Sequence, residues 1–152
     1  MREARGNIWD LARPGDAIVI TTNGFVKRNG EAVMGRGIAY EATQRDRDVA
    51  LVLGHKINAF GNHPQVIHLG AYPRDIEWLS MPVKHHWMED ADPRLIQRSA
   101  EELVTLVGSR PRPGYRTIWM PRPGCGNGHL NWNDVRPLIE DILDDHFVVV
   151  TF

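Results

Sequence analysis

The sequence predicts an α/β fold in which helices cover both faces of a mixed β-sheet. Apolar runs of strand length alternate with helix-length segments through most of the 152 residues. The run 17–20 lacks polar alternation, which is typical of a central strand covered on both faces. Two glycine-rich loops follow predicted strands, and open sheets bind ligands beyond the carboxyl ends of their strands. One ligand cleft at that edge of the sheet is therefore expected.

Size and composition restrict the class of protein. A chain of this length forms one domain, so we expect a single domain over residues 1–152. The formal net charge of -1 gives no global basic field for nucleic acid, although a local groove remains open. Cys125 is the single cysteine, which excludes an internal disulfide and disfavours a zinc site, so no metal is expected. No apolar run reaches membrane-spanning length and no signal-peptide core is present, so we expect a cytoplasmic monomer with no membrane partner.

The elements before residue 60 follow from local patterns. Residues 6–11 have weak strand or turn character, and Pro-Gly marks a loop before the strand at 17–20. The polar loop 24–31 is expected to be exposed and mobile. Helices are predicted over about 36–44 and 48–57, the second with an apolar face.

Strands alternate with helices again in the second half. Strands are predicted at 65–70 and 77–84, as a hairpin that turns at 72–75. Asp92 is a good N-cap before a proline and begins a helix that stops at Gly108. A strand at 115–120 follows, then a helix that Asn131 or Asn133 caps and that continues through Leu143, and finally a strand at 147–152.

The two glycine loops, residues 33–39 and 124–128, are the candidate ligand site. Gly35 and Gly37 stand between a strand and a helix start, where unpaired N–H groups and the helix dipole favour an anion. Glycine also lets a diphosphate approach the backbone closely. A single loop of this kind is as often a steric turn, so the second loop is what favours a site that holds a diphosphate.

Three ordered motifs together resemble the macro domain family. Segments 6–8, 17–23 and 33–39 resemble the opening of a macro domain, and 120–132 resembles its second phosphate loop. Segment 81–87, followed by the helix at Asp92, is similar to the branch of terminal ADP-ribose protein glycohydrolases and of antitoxins that remove ADP-ribose from DNA. The resemblance covers nearly the whole chain. It implies a three-layer α/β/α macro fold, an ADP-ribose cleft and no cofactor.

The resemblance also implies roles for individual residues. Lys84 would be the catalytic lysine, Asn23 a catalytic residue at the distal ribose, and Asn7 a contact to adenine. The other implied ligand-binding residues surround the diphosphate or flank the ligand: Ile8, Thr22, Gly35, Arg36, Gly37, Ile38, Pro123, Gly124, Cys125, Gly126, Asn127, Gly128 and Phe152. Trp132 is a further aromatic candidate for the ligand's flank.

The chain departs from the family pattern in four places. Asn7 and Ile20 stand where the family usually carries Asp and Asn. Extra residues, with no assigned role, separate Asn23 from Val33. Gly128 replaces an Asp that some members of the branch carry, and DNA-directed members often have glycine there. This last departure favours a DNA substrate over an acidic protein side chain.

Several side chains near the cleft have alternative explanations. Lys84 can pair with a phosphate, attack an opened ribose at C1″ as an amine or stabilise a leaving group, and without the resemblance it would be an ordinary solvated lysine. His85, His86 and His129 can act as acid or base near neutral pH. Cys125 is interpreted as structural.

Two functions from different classes fit these observations. The first is a hydrolase that releases ADP-ribose from a modified DNA base or protein. The second is a module that binds ADP-ribose without turning it over, as the changes at Asn7 and Ile20 suggest. A nicotinamide dehydrogenase is disfavoured because no Gly-x-Gly-x-x-Gly follows the first strand.

Overall fold

The computed structural model describes residues 1–69 and 76–152, and the turn expected at 72–75 lies outside the described residues. The strands of the described chain are β1 (Arg2–Arg5), β2 (Ala17–Asn23), β3 (Val66–His68), β4 (Glu77–Lys84), β5 (Ile118–Pro121) and β6 (Phe147–Thr151). The helices are α1 (Ile8–Leu11), α2 (Gly37–Arg45), α3 (Val49–Phe60), α4 (Pro93–Gly108) and α5 (Trp132–Ile139). None of these helices has the length and apolar character that crossing a membrane requires.

The strands form one mixed sheet in the order β1-β6-β5-β2-β4-β3. Neighbouring strands are parallel, except that β3 and β4 pair antiparallel. The predicted pairing of the strands at 65–70 and 77–84 is therefore confirmed. Because β2, β4, β5 and β6 are parallel, their carboxyl ends lie at one edge of the sheet.

Helices cover both faces of the sheet, as predicted. Along β2, Ala17 and Val19 face a core shared with α4 and α5, whereas Ile18 and Ile20 face a core shared with α1, α2 and α3. All four side chains are at most 1% exposed. The three-layer α/β/α arrangement is therefore confirmed, and β2 is the central strand that its uninterrupted apolar run indicated.

The structure adds one element that was not predicted and corrects two predictions of local structure. Strand β1 was not predicted, because the charged sequence Arg2–Arg5 has no apolar alternation and pairs with β6 at the sheet edge through its backbone. Residues 8–11 form a helical turn because the Asn7 side chain caps it, accepting from the Trp9 N–H at 3.0 Å. The last helix ends at Ile139 rather than Leu143, which remains buried in the turn that follows.

The polar loop after β2 forms a small hairpin, called here the rim hairpin (residues 24–33). Val26 and Ala32 pair as an antiparallel bridge, and the Lys27 N–H donates to the Glu31 carbonyl at 2.8 Å. The Ala32 N–H donates to the carbonyl of Ala50 in α3 at 2.9 Å. The hairpin tip is exposed as predicted, but its backbone is paired and its base is attached to α3.

Candidate active site

A cleft of about 1590 Å³ opens at the carboxyl edge of the sheet. Its wall includes the ends of four parallel strands, at Asn23, Lys84, Pro121 and Thr151. Both glycine loops also line it. The cleft therefore lies where an open α/β sheet is expected to bind its ligand.

The first glycine loop leads directly into α2. Arg36 occupies the N-cap position, and no side chain caps the helix, so the first backbone N–H groups of α2 have no side-chain partner. Gly37 has a φ of 62°, a left-handed conformation that glycine adopts without strain. A Cβ built at Gly35 would meet no atom within 4 Å. This loop presents a helix N-terminus and free space, which suit an anion.

The second glycine loop packs closely against the start of α4. A Cβ built at Gly124 would lie 2.7 Å from Ile96, and one built at Gly128 would overlap the Gly124 carbonyl oxygen and lie 2.7 Å from Ala91. The Ala91 N–H donates to the Gly128 carbonyl at 3.0 Å. Gly126 differs, because a Cβ there would meet nothing within 4 Å.

The two loops meet at their tips. A Cβ on Gly37 would lie 3.5 Å from the side-chain nitrogen of Asn127. Gly35 and Gly126, which both leave free space, line this same cleft. This juxtaposition fits the prediction that both loops bind one diphosphate.

Lys84 lies at the end of β4, on the cleft wall. Its ammonium group donates to the Asn127 carbonyl oxygen at 2.9 Å. Its own carbonyl accepts from the Asn62 side chain at 3.0 Å, which fixes the end of the strand. The structure thus places the predicted catalytic lysine in contact with the second glycine loop.

Asn23 lies in the cleft wall, but its side chain is largely occupied. Its amide nitrogen donates to the Val33 carbonyl and its amide oxygen accepts from the Phe25 N–H, both at 2.9 Å. These bonds close the base of the rim hairpin, and the residue is 9% exposed. One amide hydrogen remains for a ligand, so contact with the distal ribose stays a prediction.

Most of the predicted ligand-binding residues lie on the cleft wall. The predicted residues found there are Thr22, Asn23, Gly35, Arg36, Gly37, Ile38, Lys84, Gly124, Cys125, Gly126, Asn127, Gly128 and Phe152. Trp132 lies there too, with the Arg122 guanidinium 5.3 Å from the centre of its ring.

Three predicted residues do not reach the cleft wall. Asn7 directs its amide oxygen to the first turn of α1, and Ile8 is 8% exposed in the core against α1, α2 and α3. Pro123 is buried and does not line the cleft. Their ligand contacts remain predictions, which this arrangement does not support.

The thiol of Cys125 agrees with a structural role. Burial raises the pKa of the Cys125 thiol, and the nearby Arg122 charge only partly opposes this. The neutral thiol is the dominant form at pH 7, since even an unperturbed cysteine has a pKa of about 8.5.

Two histidine–aspartate pairs flank the cleft. His129 lies on the cleft wall with its Nδ1 2.7 Å from Asp90, and the His85 Nε2 lies 2.8 Å from Asp92. The hydrogen bond from His85 is the main reason that the pKa of Asp92 lies below its usual value. Within residues 1–69 and 76–152, no three His, Cys, Asp or Glu side chains come together as a metal site would require.

The cleft residues that sequence reasoning did not assign include Phe25, Lys27, Trp87 and Met88. The available signal was apolar side chains within polar loops. A polar loop with one aromatic residue also fits a simple surface connection, and only the fold shows that residues 25 and 87 approach the same opening.

Solved structures with this arrangement identify the fold. The macrodomain of Mycobacterium tuberculosis DarG is 18% identical with a TM-score of 0.72, over 99% of this chain and 97% of that one. Thermosipho africanus DarTG in complex with ADP-ribose is 19% identical with a TM-score of 0.75, over 98% of this chain and 41% of that one. The chain therefore has the fold of a macro domain, and the predicted fold is confirmed.

Among proteins with this fold, the chain is similar to DarG of Thermus aquaticus. The macrodomain of that protein is 25% identical with a TM-score of 0.76, over 99% of this chain and 97% of that one. A curated Thermus aquaticus DNA ADP-ribosyl glycohydrolase is 27% identical over 154 residues, which cover 95% of this chain. The chain spans 38% of the length of that curated relative. No family model matches the chain.

Proposed function

We propose that this macro domain binds ADP-ribose in the cleft and hydrolyses its bond to a modified DNA base. The observation that carries the proposal is the position of Lys84. Its ammonium group lines the same cleft as the two loops suited to a diphosphate and contacts the second of them at 2.9 Å. A cation there is close to the part of the ligand that joins the macromolecule.

The diphosphate would bind across the two loop tips. The uncapped N-terminus of α2 supplies N–H groups and a positive dipole end on one side. The exposed backbone at Gly126 supplies the other side, and Arg36 adds positive charge on the wall. Thr22 and Ile38 extend the same surface.

The relatives support DNA as the macromolecule. A relative named as a DNA ADP-ribosyl glycohydrolase aligns with 95% of this chain. Gly128 agrees, because a Cβ at this position would overlap the Gly124 carbonyl oxygen, and an Asp there would require a different loop. We therefore place a DNA base ahead of an acidic side chain as the leaving group.

Lys84 can act in two ways that an experiment separates. As an amine it would displace the base from C1″, and ring opening would give an imine that water then hydrolyses. As an ammonium it would stabilise negative charge on the leaving base while water attacks. Borohydride reduces an imine to a stable amine, so a covalent adduct on Lys84 during turnover identifies the first route and its absence the second.

The test of the proposed function is turnover of two substrates in parallel. The protein is incubated with ADP-ribosylated DNA and with a peptide ADP-ribosylated on glutamate. We expect release of ADP-ribose from the DNA, and loss of at least about 100-fold in turnover for Lys84→Ala, a typical cost for removing a catalytic group. Calorimetry should show that Lys84→Ala still binds free ADP-ribose.

Lys56 provides the matched control. It lies in α3, outside the residues that line the cleft, so Lys56→Ala should turn over DNA like the parent protein. Turnover of the peptide alone would move the substrate class to protein. Undiminished turnover in Lys84→Ala would refute the catalytic role.

A reader that binds ADP-ribose without hydrolysis is the second candidate. The side chain of Asn23 favours it, because that amide closes the rim hairpin through two bonds to its own backbone region. Binding of free ADP-ribose with no release from either substrate would establish the reader. Three expectations remain predictions: a cytoplasmic location, a monomeric state and a single domain over 1–152.

A further inference from the structure

An exposed aromatic surface borders the cleft beside Lys84. Phe25 of the rim hairpin meets His86 edge-on, with ring centroids 4.7 Å apart. His86 in turn stacks on Trp87 with centroids 5.6 Å apart and an interplanar angle of 26°. We call these three residues the aromatic rim.

The aromatic rim is exposed yet fixed in place. Phe25 is 37% and Trp87 47% exposed, and both line the cleft. Neither belongs to the two hydrophobic cores of the described chain. The backbone N–H of Phe25 is held by the Asn23 side chain, and His86 Nδ1 accepts from the Met88 N–H at 3.1 Å. An ordered backbone and contacts between the rings reduce the freedom that is lost when they bind a flat partner.

The position of the rim follows from the chain itself. Lys84 ends β4, and Trp87 stands three residues later, so the rim is next to the point where we place C1″ of the ligand. A macromolecule attached to ADP-ribose must leave the cleft close to that point. The part of the substrate beside the modified unit would therefore meet the aromatic rim.

Lys27 adds a positive charge on the rim hairpin. Lys27 is an exposed residue of the rim hairpin and lines the cleft with Phe25. Glu89 lies on the same wall, so the surface is not broadly basic. Aromatic rings with Lys27 beside them suit one stacked base and one phosphate rather than a long duplex backbone.

We propose that the aromatic rim stacks on an unpaired base next to the ADP-ribosylated nucleotide of single-stranded DNA. This inference rests on the proposed function and adds a subsite to it. Stacking on an aromatic side chain is sequence-tolerant because every base has a π-face, and it is worth about 5- to 150-fold in affinity. A base within a duplex is already stacked on its neighbours and cannot use the rim.

Two substrates that differ only beyond the modified base test the subsite. One is a single-stranded oligonucleotide with one ADP-ribosylated base, and the other is the corresponding ADP-ribosylated single nucleoside. For Phe25→Ala and Trp87→Ala we expect KM for the oligonucleotide to rise about tenfold, within the range for loss of one stacked base. KM for the nucleoside and kcat for both substrates should stay within about twofold.

Matched variants separate stacking from folding. Trp87→Phe keeps a ring and should restore most of the affinity. Phe60 is a 65% exposed phenylalanine at the end of α3, outside the residues that line the cleft, so Phe60→Ala should match the parent protein. Equal losses on oligonucleotide and nucleoside, or no loss on the oligonucleotide, would overturn the subsite.

Binding measurements keep the test independent of turnover. Anisotropy of the labelled ADP-ribosylated oligonucleotide is compared between Lys84→Ala and the double variant Lys84→Ala with Trp87→Ala. About tenfold weaker binding of the double variant supports the rim, and equal binding overturns it. A parent protein that releases ADP-ribose from neither substrate refutes the hydrolase, whatever this comparison gives. An equal loss with an ADP-ribosylated peptide would also overturn the rim as a base site.

Salt dependence tests Lys27 separately. Each phosphate neutralised on a single strand contributes about 0.7 to the slope of log affinity against log salt. Lys27→Ala should lower the slope for the oligonucleotide by about that amount, whereas Lys56→Ala should leave it unchanged. An unchanged slope in Lys27→Ala removes the phosphate contact from the proposal.

Discussion

Gly35 in the first glycine loop and Gly128 in the second both line the cleft, but a side chain would meet different surroundings at the two positions. At Gly35 a Cβ would have no neighbour within 4 Å. At Gly128 it would overlap the backbone of Gly124 and approach Ala91 to 2.7 Å. The second loop is packed against the start of α4, whereas the first faces open space.

Glycines in the two loops therefore serve two different physical purposes, although the sequence pattern looks the same. Gly124 and Gly128 are needed for the loop to pack, so they act on folding. Gly35 and Gly126 are not needed for packing, so their lack of a side chain matters only to something that enters the cleft. Stability and ligand affinity should therefore respond to different glycines.

The largest expected effect is on folding, from Gly128→Ala. The methyl group would overlap backbone that cannot move aside easily, and such overpacking costs about 3 kcal/mol at its upper range. For a chain of this size the melting temperature should fall by about 6–12 °C. Calorimetric scanning measures it.

Gly108 is the matched control for that change. It ends α4, and a Cβ there would meet nothing within 4 Å, so Gly108→Ala should leave the melting temperature unchanged or slightly higher. A Gly128→Ala protein as stable as the parent would show that the second loop is not braced by α4.

The next effect is on affinity, from Gly35→Ala and Gly126→Ala. Each methyl group would occupy space beside the backbone that we assign to the diphosphate, so ADP-ribose should bind at least about tenfold more weakly, or about 1.4 kcal/mol. The melting temperature without ligand should not fall, because no protein atom is displaced. Titration calorimetry and thermal scanning together check both statements. Unchanged affinity in both variants would remove the diphosphate from the loop tips.

A smaller effect concerns the start of α4, against which the second loop packs, and it depends on pH. The side chain of Asp92 caps α4 and pairs with His85, and its pKa in the folded protein is lowered, mainly by that hydrogen bond. The stabilisation by the ionised carboxylate is therefore full above the unfolded pKa of about 3.9 and is lost as pH falls through the lower folded pKa.

Asp92→Asn keeps a good N-cap and removes the charge. The parent protein should be more stable than this variant by a few tenths of a kcal/mol at about pH 6, because the pair is exposed, and the two should converge near pH 2. Denaturant titration at both pH values measures the difference. A difference that persists at the lower pH would assign it to something other than the carboxylate charge.

The smallest effect is expected at Cys125. Because burial raises the pKa of this thiol, it should react slowly with iodoacetamide at pH 7 and faster as the pH rises. Cys125→Ala should keep turnover of ADP-ribosylated DNA within about twofold of the parent. Fast alkylation at neutral pH, with loss of turnover, would show that this loop contributes chemistry beyond its backbone.

Sequence patterns predicted the sheet interior better than its edges. The apolar run of β2 and the cap of α4 at Asp92 indicated their elements directly, because burial and capping leave local signals. Strand β1 had no such signal, because an exposed edge strand pairs through its backbone and tolerates charged side chains.

The candidate site was predictable only where a single segment has a recognisable local motif. Each glycine loop has a local motif, so both were placed on the cleft. Other contacts of the site join segments that are distant in sequence, so no local pattern indicates them. Lys84 bonds to Asn127, and Phe25 contacts His86. Asn7 was predicted to contact adenine, but its side-chain oxygen caps α1 instead. The sequence analysis did not consider this local hydrogen bond.

Gly54 in α3 is required for the rim hairpin to pack, so a glycine at this position can be used to recognise the hairpin in related sequences. A Cβ at this helix position would overlap the Gly30 carbonyl oxygen and lie 3.0 Å from the Ala32 nitrogen, so α3 accepts the hairpin only where its surface is bare. Homologues that share the extra segment should share this glycine, and those with a shorter connection are free to replace it. Covariation of a segment length with one distant residue would then reveal which members of the lineage carry the hairpin.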